Sequence, residues 1–542
     1  MSSPKPLPSR TSRRSTVTAT MTGLAWLGLV VAAVVGLLSV RAPLDGRDFA
    51  VAIPVGIAIG TLWLGGLRAL VFYACRRALL SRRAASAPCE TVSTARVALV
   101  CCTADDLDPS ALRRSAAQTH DVDVVILDDS SSDAGRVTVD EVAAELGALV
   151  VRRNLRQGYK AGNLNHYFAT SPGHDFFAIV DSDEVLAPTF VARALDHFAA
   201  DVAVSGAAAS GSGATASGAT ASGLVAASDP IGVVQGRHEA HEGETAFVSE
   251  FGPMLGTHVA TTQAARSQFG FSMFMGRGAL LSREAIIAAG GFPEVVAEDV
   301  AFTIALREAG YRVEYAPEIV STEDFPVDYH AFKKQHGKMV QGATELLRGF
   351  GPTIARSRMD ASEKLDLLLE LTMIPLGSML GVALFAVSLV TASLGATLFP
   401  TWVGLALGLS GVAALLPEAV RRTRRGAPLA GLVFLGRALA LYASMLWVSL
   451  RSMARVLVGR RAVFTITPKR RSTAGWRATV LAELVVASAA VVVSLAVAGS
   501  IAPAMTAIGA AAAAVYLTRF SARGSRAPVA APERAAAARR AV

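Results

Sequence analysis

Val122-Asp123-Val124-Val125-Ile126-Leu127-Asp128-Asp129-Ser130-Ser131-Ser132-Asp133 (residues 122–133) decides the architecture of the middle of this chain. A short apolar run rich in β-branched residues breaks directly into carboxylates and hydroxyls. A run of that length, bounded by turn-forming residues, reads as a buried strand that ends in a loop. Val97 to Cys102, Leu149 to Val151 and Phe176 to Val180 have the same character. Between them, residues 108–118, 138–146 and 160–169 read as helices. Strands alternating with helices make βαβ units, so this region predicts a Rossmann-like, doubly wound α/β domain with a mostly parallel sheet. Ligands of such sheets bind at the carboxyl ends of the strands. Asp128 and Asp129 stand at such an end.

Outside this region the composition changes. Of 542 residues, 52% are hydrophobic and 18% charged, too apolar for an ordinary soluble protein. The net charge of +9 sits largely in arginines beside apolar runs: Arg13 and Arg14, Arg76 and Arg77, Arg421 to Arg425, Arg519. Basic residues so placed belong to the cytoplasmic flanks of membrane segments and not to a nucleic-acid surface. The four cysteines, Cys75, Cys89, Cys101 and Cys102, form no C-x-x-C pair and read as reduced thiols without a metal.

Thr22 to Val40 and Phe49 to Leu67 read as an uncleaved transmembrane hairpin. Leu371 to Pro417, uncharged and broken near Gly395, Pro400 and Trp402, reads as two further spans. Leu484 to Thr518, starting near Val480 and broken near Gly499 to Pro503, reads as a last hairpin. Leu429 to Leu450 carries Arg437 in mid-run and basic clusters on both flanks. A charge at mid-bilayer costs ~2.5–3.5 kcal/mol, so this segment reads as an interfacial helix. The expectation is a plasma-membrane protein with six spans, and a catalytic domain and both termini in the cytoplasm.

The resulting layout is a basic amino terminus (1–21), a hairpin (22–73), the α/β domain (90–345), an interfacial segment and hairpin (346–420), the interfacial helix (429–458), a loop (460–475), the last hairpin (478–518) and a disordered basic tail (519–542). Within the α/β domain, 203–227 is almost wholly Ala, Ser, Gly and Thr, too little apolar area to offset ordering entropy, and reads as a flexible insertion.

Four stretches carry chemistry. Asp128 and Asp129 can accept hydrogen bonds from a nucleotide's base and ribose, or form a polar turn. Asp181-Ser182-Asp183, after a buried strand, places two carboxylates two residues apart. Such a pair can ligate Mg²⁺ or Mn²⁺ together with substrate phosphates, or be a solvated turn. Gly158-Tyr159-Lys160-Ala161-Gly162-Asn163-Leu164-Asn165 opens a helix, with Lys160 as a point charge for phosphate or simply solvated. Gly290-Gly291-Phe292-Pro293 precedes Glu298-Asp299, a candidate general base or a helix-capping acid pair.

The order and spacing of these four resemble the family 2 glycosyltransferases of GT-A fold, and within them the processive membrane branch of cellulose, chitin and hyaluronan synthases. The resemblance spans about residues 90–345 and the hairpins around them. It implies an inverting transfer from a UDP-sugar, with Asp128 and Asp129 on the nucleotide and Lys160 on the diphosphate. Asp181 and Asp183 would hold donor and metal, with Asp299 as base beside Glu298. Phe464-Thr465-Ile466-Thr467-Pro468-Lys469 is similar to that branch's gating loop F-x-V-T-x-K, which marks Phe464, Thr467 and Lys469. Gln335-His336-Gly337-Lys338-Met339 occupies the place of its Q-x-x-R-W motif. There Lys338 stands for Arg and Met339 for the Trp on which an acceptor sugar stacks. The α/β domain has no tryptophan at all: Trp26, Trp63, Trp402, Trp447 and Trp476 all lie in or beside membrane segments. The resemblance therefore implies a growing β-linked glycan as acceptor and product, and the Met339 departure leaves a lipid acceptor as the alternative. A catalytically inactive scaffold is disfavoured by the intact acidic set.

Overall fold

The computed structural model describes residues 21–35, 46–80, 94–209 (except 155 and 172), 229–394 (except 244), 401–425, 428–463, 467–468 and 476–523. The central unit is an eight-stranded mixed sheet of order β3-β2-β1-β4-β7-β6-β8-β5. Its strands are β1 (Val97–Thr103), β2 (Val122–Asp128), β3 (Leu149–Val151), β4 (Phe176–Asp181), β5 (Val185–Leu186), β6 (Ile231–Ala240), β7 (Ala279–Ser282) and β8 (Arg312–Glu323). The half made of β3, β2, β1 and β4 is parallel throughout. Strand β7 then runs antiparallel to both β4 and β6. This is the expected α/β GT-A class of domain, with parallel pairing prevailing only outside β7 and β5.

Alternate residues of β1 enter two cores. Val97, Leu99 and Cys101 pack with α3 (Pro109–Ala116), α4 (Asp133–Leu146) and α6 (Phe190–Ala209). Ala98 and Val100 pack with α5 (Tyr159–Thr170), α8 (Arg283–Ala288) and α9 (Glu298–Glu308). A strand covered on both faces must be apolar at every position, which is why these runs were legible.

Boundaries differ from expectation where caps act. Helix α4 starts at Asp133, not 138, because the Ser132 hydroxyl accepts from Gly135 N–H (3.0 Å) and Asp133 complements the helix dipole. Strands β2 and β4 extend one residue to include Asp128 and Asp181. The insertion expected from 203 begins as helix: α6 continues through Ala209, since alanine favours helix most strongly of all residues. The rest of the insertion, residues 210–227, lies outside the described residues.

Apolar helices follow and precede this domain. They are α1 (Met21–Val35), α2 (Gly46–Leu80), α11 (Ala361–Leu394), α12 (Thr401–Ala413), α14 (Pro428–Ser444), α15 (Leu446–Leu457), α16 (Trp476–Ala498) and α17 (Met505–Ser521). Among the described residues, three stretches are long and apolar enough to cross a membrane: Pro375–Ser393, Leu429–Leu457 and Thr479–Ala498. Helix α2 runs straight through the basic residues Arg76 and Arg77, beyond the expected end at Leu67.

Two devices lock the apolar helices to the α/β domain. The first is a shared core: Phe247 and Phe251 of α7 (Ala246–Phe269), Tyr329 and Phe332 of α10 (Tyr329–Arg356), Phe434, Val480 and Phe520. The second is a buried ion cluster. Arg266 of α7 reaches Asp366 (3.0 Å) and Glu370 (2.6 Å) of α11, and Arg68 of α2 pairs with the same two acids. Arg266 is 3% exposed, so its charge has no recourse to water. Removing one partner of a buried pair strands the other. Arg266→Met is therefore expected to destabilise the purified chain by about 3–5 kcal/mol. Thermal melting in detergent checks this, and an unchanged midpoint would contradict it.

Candidate functional site

The carboxyl ends of β1, β2 and β4 open on one polar cavity of about 1190 Å³. It is lined by Asp105, Asp129, Lys160, Asp181, Asp183, Arg277, Gln335, Lys338 and Thr467, among others. Chain direction explains the convergence: parallel strands deliver their loops to the same edge.

Asp128 and Asp129 part company there. Successive side chains at a strand end point opposite ways. The Asp128 carboxylate is fully buried, accepting from Ser130 N–H (2.8 Å) and Arg152 Nε (2.7 Å). It braces the loop and does not line the cavity. Asp129 faces the cavity and is held by Arg153 through two hydrogen bonds, at 3.0 and 2.7 Å. Across from it, Asp105 accepts from both N–H and both hydroxyl groups of Ser131 and Ser132, at 2.6–2.9 Å. Burial raises the Asp105 pKa, but these four bonds outweigh it and hold the carboxyl well below the ordinary range.

Lys160 sits in the first turn of α5, launched by Gly158 and Tyr159, both at positive φ (72° and 50°). Its Nζ donates to Asp181 Oδ1 (2.5 Å) and to the Gly276 carbonyl (2.9 Å). Burial works against this charge, and the neighbouring Asp181 and Glu298 help to reverse the effect, leaving the lysine pKa raised. The same helix carries Asn165, which donates to Phe292 O and accepts from Phe292 N–H, both at 2.8 Å. Two motifs read separately in the sequence are thus stitched together. A side chain at Gly291 (φ +83°) would collide with Asn165 Oδ1 at 2.7 Å.

Glu298 and Asp299 open α9 just behind Lys160 and Lys338, outside the residues that line the cavity. Glu298 is buried and Asp299 half-buried. Asp299 Oδ1 accepts from Val300 N–H (2.8 Å). Desolvation raises both acids, Glu298 further through the adjacent Asp299 charge. Burial lowers the Lys338 pKa, while Asp181, Glu298 and Asp299 pull the other way. Met339 is 54% exposed and lies off the cavity, whereas Gln335 and Lys338 line it. Thr467 and Pro468 line the cavity too; Phe464 and Lys469 lie outside the described residues.

The sequence reading missed Arg277. Its guanidinium pairs with Glu323 and lies 3.6 Å from Asp181 Oδ2, so Asp181 stands between two cations. Arg277 belongs to a loop clamped from within: Gln235 accepts from Met275 N–H (2.8 Å), and Glu184 accepts from Gly278 N–H (3.1 Å) and Asp181 N–H (3.3 Å). The buried His238 Nδ1 lies 3.4 Å from Glu323 and 3.9 Å from Glu184. Burial raises Glu323, and Arg277 and His238 more than offset it, leaving it ionised with a pKa of about 2. At Glu184 burial outweighs the pull of the same His238 and Arg277 and pushes the carboxyl up to about 7. The legible trace was Gly276-Arg277-Gly278, with both glycines at positive φ (83° and 56°).

The residues that could hold a cation are Asp181 and Asp183, both on the cavity wall. Among the described residues no group of three or more His, Cys, Asp or Glu side chains clusters as a self-sufficient metal site. A two-carboxylate set fits an ion that completes its shell with substrate phosphate and water, the usual habit of Mg²⁺.

A family model described as glycosyl transferase family group 2 matches residues 176–516, and one described as glycosyl transferase family 2 matches residues 109–241. Among solved structures, a mannosyltransferase from Pyrobaculum calidifontis in complex with GDP-mannose and Mn²⁺ is 19% identical, with a TM-score of 0.45, over 76% of this chain and 99% of that one. Residues 1–349 of S. aureus TarS in complex with UDP are 14% identical, with a TM-score of 0.32, over 61% of this chain and 91% of that one.

Glu184 supplies a test of the clamp. Its pKa rises from an ordinary 4.5 to about 7 on folding, so the native state binds the extra proton. Stability is then fully present below the unfolded value and is lost as pH rises through the folded one. Glu184→Gln is expected to flatten the fall in melting temperature between pH about 5 and 7.5. A slope identical to that of the unaltered chain would contradict the assignment.

Proposed function

The chain belongs to glycosyl transferase family group 2, and from that premise we propose that it is a membrane-bound inverting enzyme that uses a UDP-sugar to extend a β-linked polysaccharide. That it is a hexosyltransferase with a GT-A α/β domain follows from the family. The finer reading rests on one observation: Asp129, Lys160, Asp181, Asp183, Arg277 and Lys338 face one cavity, with the acid pair Glu298 and Asp299 immediately behind two of its cations.

In this reading Asp129 orients the nucleotide and Asp128, through Arg152, braces the loop that carries it. Lys160 and Arg277 neutralise the diphosphate. Asp181 and Asp183 would hold Mg²⁺ or Mn²⁺, which would supply further charge neutralisation at the phosphates. Asp299 takes the proton from the acceptor hydroxyl as its oxygen attacks the anomeric carbon. The bond from that carbon to the nucleoside diphosphate breaks from the opposite face, and the diphosphate departs with the bonding pair. The raised pKa of Asp299, caused by burial, makes it a stronger base than a free carboxylate. Gln335 and Lys338 border the acceptor side, and Thr467, with Phe464 and Lys469 in the same loop, closes over the donor. The catalytic domain faces the cytoplasm, and the Leu429–Leu457 stretch, whose Arg437 is neutralised by Glu250 of α7, lies against that domain at the interface. A lipid acceptor is the second reading. The position of Met339 favours it, since that side chain is exposed off the cavity and offers no stacking platform.

One experiment on the purified chain tests this reading. With UDP-sugars and Mg²⁺ or Mn²⁺, the product is expected to be a high-molecular-weight ladder. Asp299→Asn should retain donor binding and lose turnover by about 10²–10⁴-fold, and the ladder should vanish when Thr467 and Lys469 are both changed to Ala. Near-normal turnover in Asp299→Asn would remove the base. A single glycolipid product, indifferent to the double change, would favour the lipid acceptor.

A further inference from the structure

Helices α16 and α17 are antiparallel neighbours joined by a short turn. Between them runs a groove of about 870 Å³, lined by Leu484, Ala487, Val491, Val492, Ile508 and Val515. At one end the lining changes to Tyr516, Arg519 and Arg523. That end abuts the α/β domain. The Arg523 carbonyl accepts from Ala246 N–H (3.4 Å), Ser521 Oγ accepts from Tyr329 N–H (3.0 Å), and Phe520 packs on Phe251. Ala246 directly follows Thr245, which lines the polar cavity together with His241, Glu242 and Gly243.

The dimensions and the charges of the groove agree on one occupant. Ile508 and Arg519 are separated by about 16 Å along the helix axis at ~1.5 Å per residue. Half the hydrocarbon core of a bilayer is about 15 Å. The groove is therefore one leaflet deep, apolar along its length and cationic where headgroups lie. The charges are also available. Arg68, Arg266, Arg421, Arg422 and Arg437 are all paired with carboxylates. Among the described residues, no carboxylate pairs with Arg519 or Arg523, and both are exposed. Arginine forks match phosphate oxygens in pairs.

We propose that the α16–α17 groove is a binding site for a phospholipid of net negative charge, its phosphate not neutralised by a headgroup cation, in the leaflet adjoining the catalytic domain. Its chain lies along Leu484 to Val492 and Ile508 to Val515, and its phosphate rests on Arg519 and Arg523. The site rests on the membrane placement of α16 and α17 and is independent of whether the acceptor is glycan or lipid. The Arg523 end of the groove is hydrogen-bonded to Ala246, next to Thr245 of the cavity lining, so lipid bound there would be felt on that side of the cavity.

The full chain in vesicles of phosphatidylcholine, with or without phosphatidic acid, provides the test. Lipid retained through detergent extraction is identified by native mass spectrometry, and donor turnover is measured in parallel. Phosphatidic acid is expected to be retained and to raise turnover. Changing Arg519 and Arg523 to Gln should cut retention about tenfold, roughly the loss of 1.4 kcal/mol of binding, and cancel the rise. Changing Ala512, which also lines the groove, to Phe should do the same by blocking the chain. Three outcomes overturn the site: equal retention of phosphatidylcholine, retention unaffected by the arginine change, or full competition by inorganic phosphate, which would mark a free-phosphate site. Retention is read without catalysis, so an inactive preparation would speak against the transferase reading alone.

Discussion

The position of one carboxylate, Asp181, between Lys160 at 2.5 Å and Arg277 at 3.6 Å organises the centre of this molecule. Charges brought together away from water must be balanced nearly one for one. Asp181 requires its cations, Arg277 requires Glu323, and Glu323 lies against His238. Glu184 and Gln235 then fasten the backbone that presents Arg277 and the Gly276 carbonyl. His238 and Glu323 are the buried members of this chain of charges, and Asp181, partly exposed, is its face on the cavity. The result is a polar floor in which Lys160 and Arg277 flank Asp181 on the cavity wall.

The same logic joins that floor to the apolar helices. Helix α7 leaves the β6 edge of the cavity and carries Glu250, Thr257 and Arg266 in turn. Glu250 neutralises Arg422 and Arg437, Thr257 donates to Glu418 (2.7 Å), and Arg266 engages α11. A single helix thus contacts the site loop at one end and, along its length, α11, α14 and the basic helix Leu416–Arg424 between them. Motion of those helices would reach Thr245 of the cavity lining through α7 and the end of α17.

The parallel half of the sheet was readable because strands covered on both faces have no polar alternation to hide them. The Asp128-Asp129, Asp181 and Gly290-Gly291 stretches were readable because each broke such a run or required a backbone turn. Two kinds of fact escaped. Which of Asp128 and Asp129 faces the cavity depends on the final strand register, and one residue of extension reverses the side. Arg277 and the Glu184–His238–Glu323 cluster bring together β4–β5, β6, β7 and β8, far apart in the chain, and no local pattern encodes such a pairing. Helix limits failed at α4 and α6 because caps and alanine propensity, and not apolar period, set them.

The central claim is that Lys160 and Asp181 mark the place of the donor diphosphate. Equilibrium binding of UDP and of uridine to the purified chain, with Mn²⁺ present, tests it most directly in Lys160→Met. The account predicts that UDP weakens by about tenfold or more, the loss of a charge-assisted phosphate contact, while uridine, held through Asp129, binds as before. Unchanged UDP affinity in a folded Lys160→Met chain would contradict it.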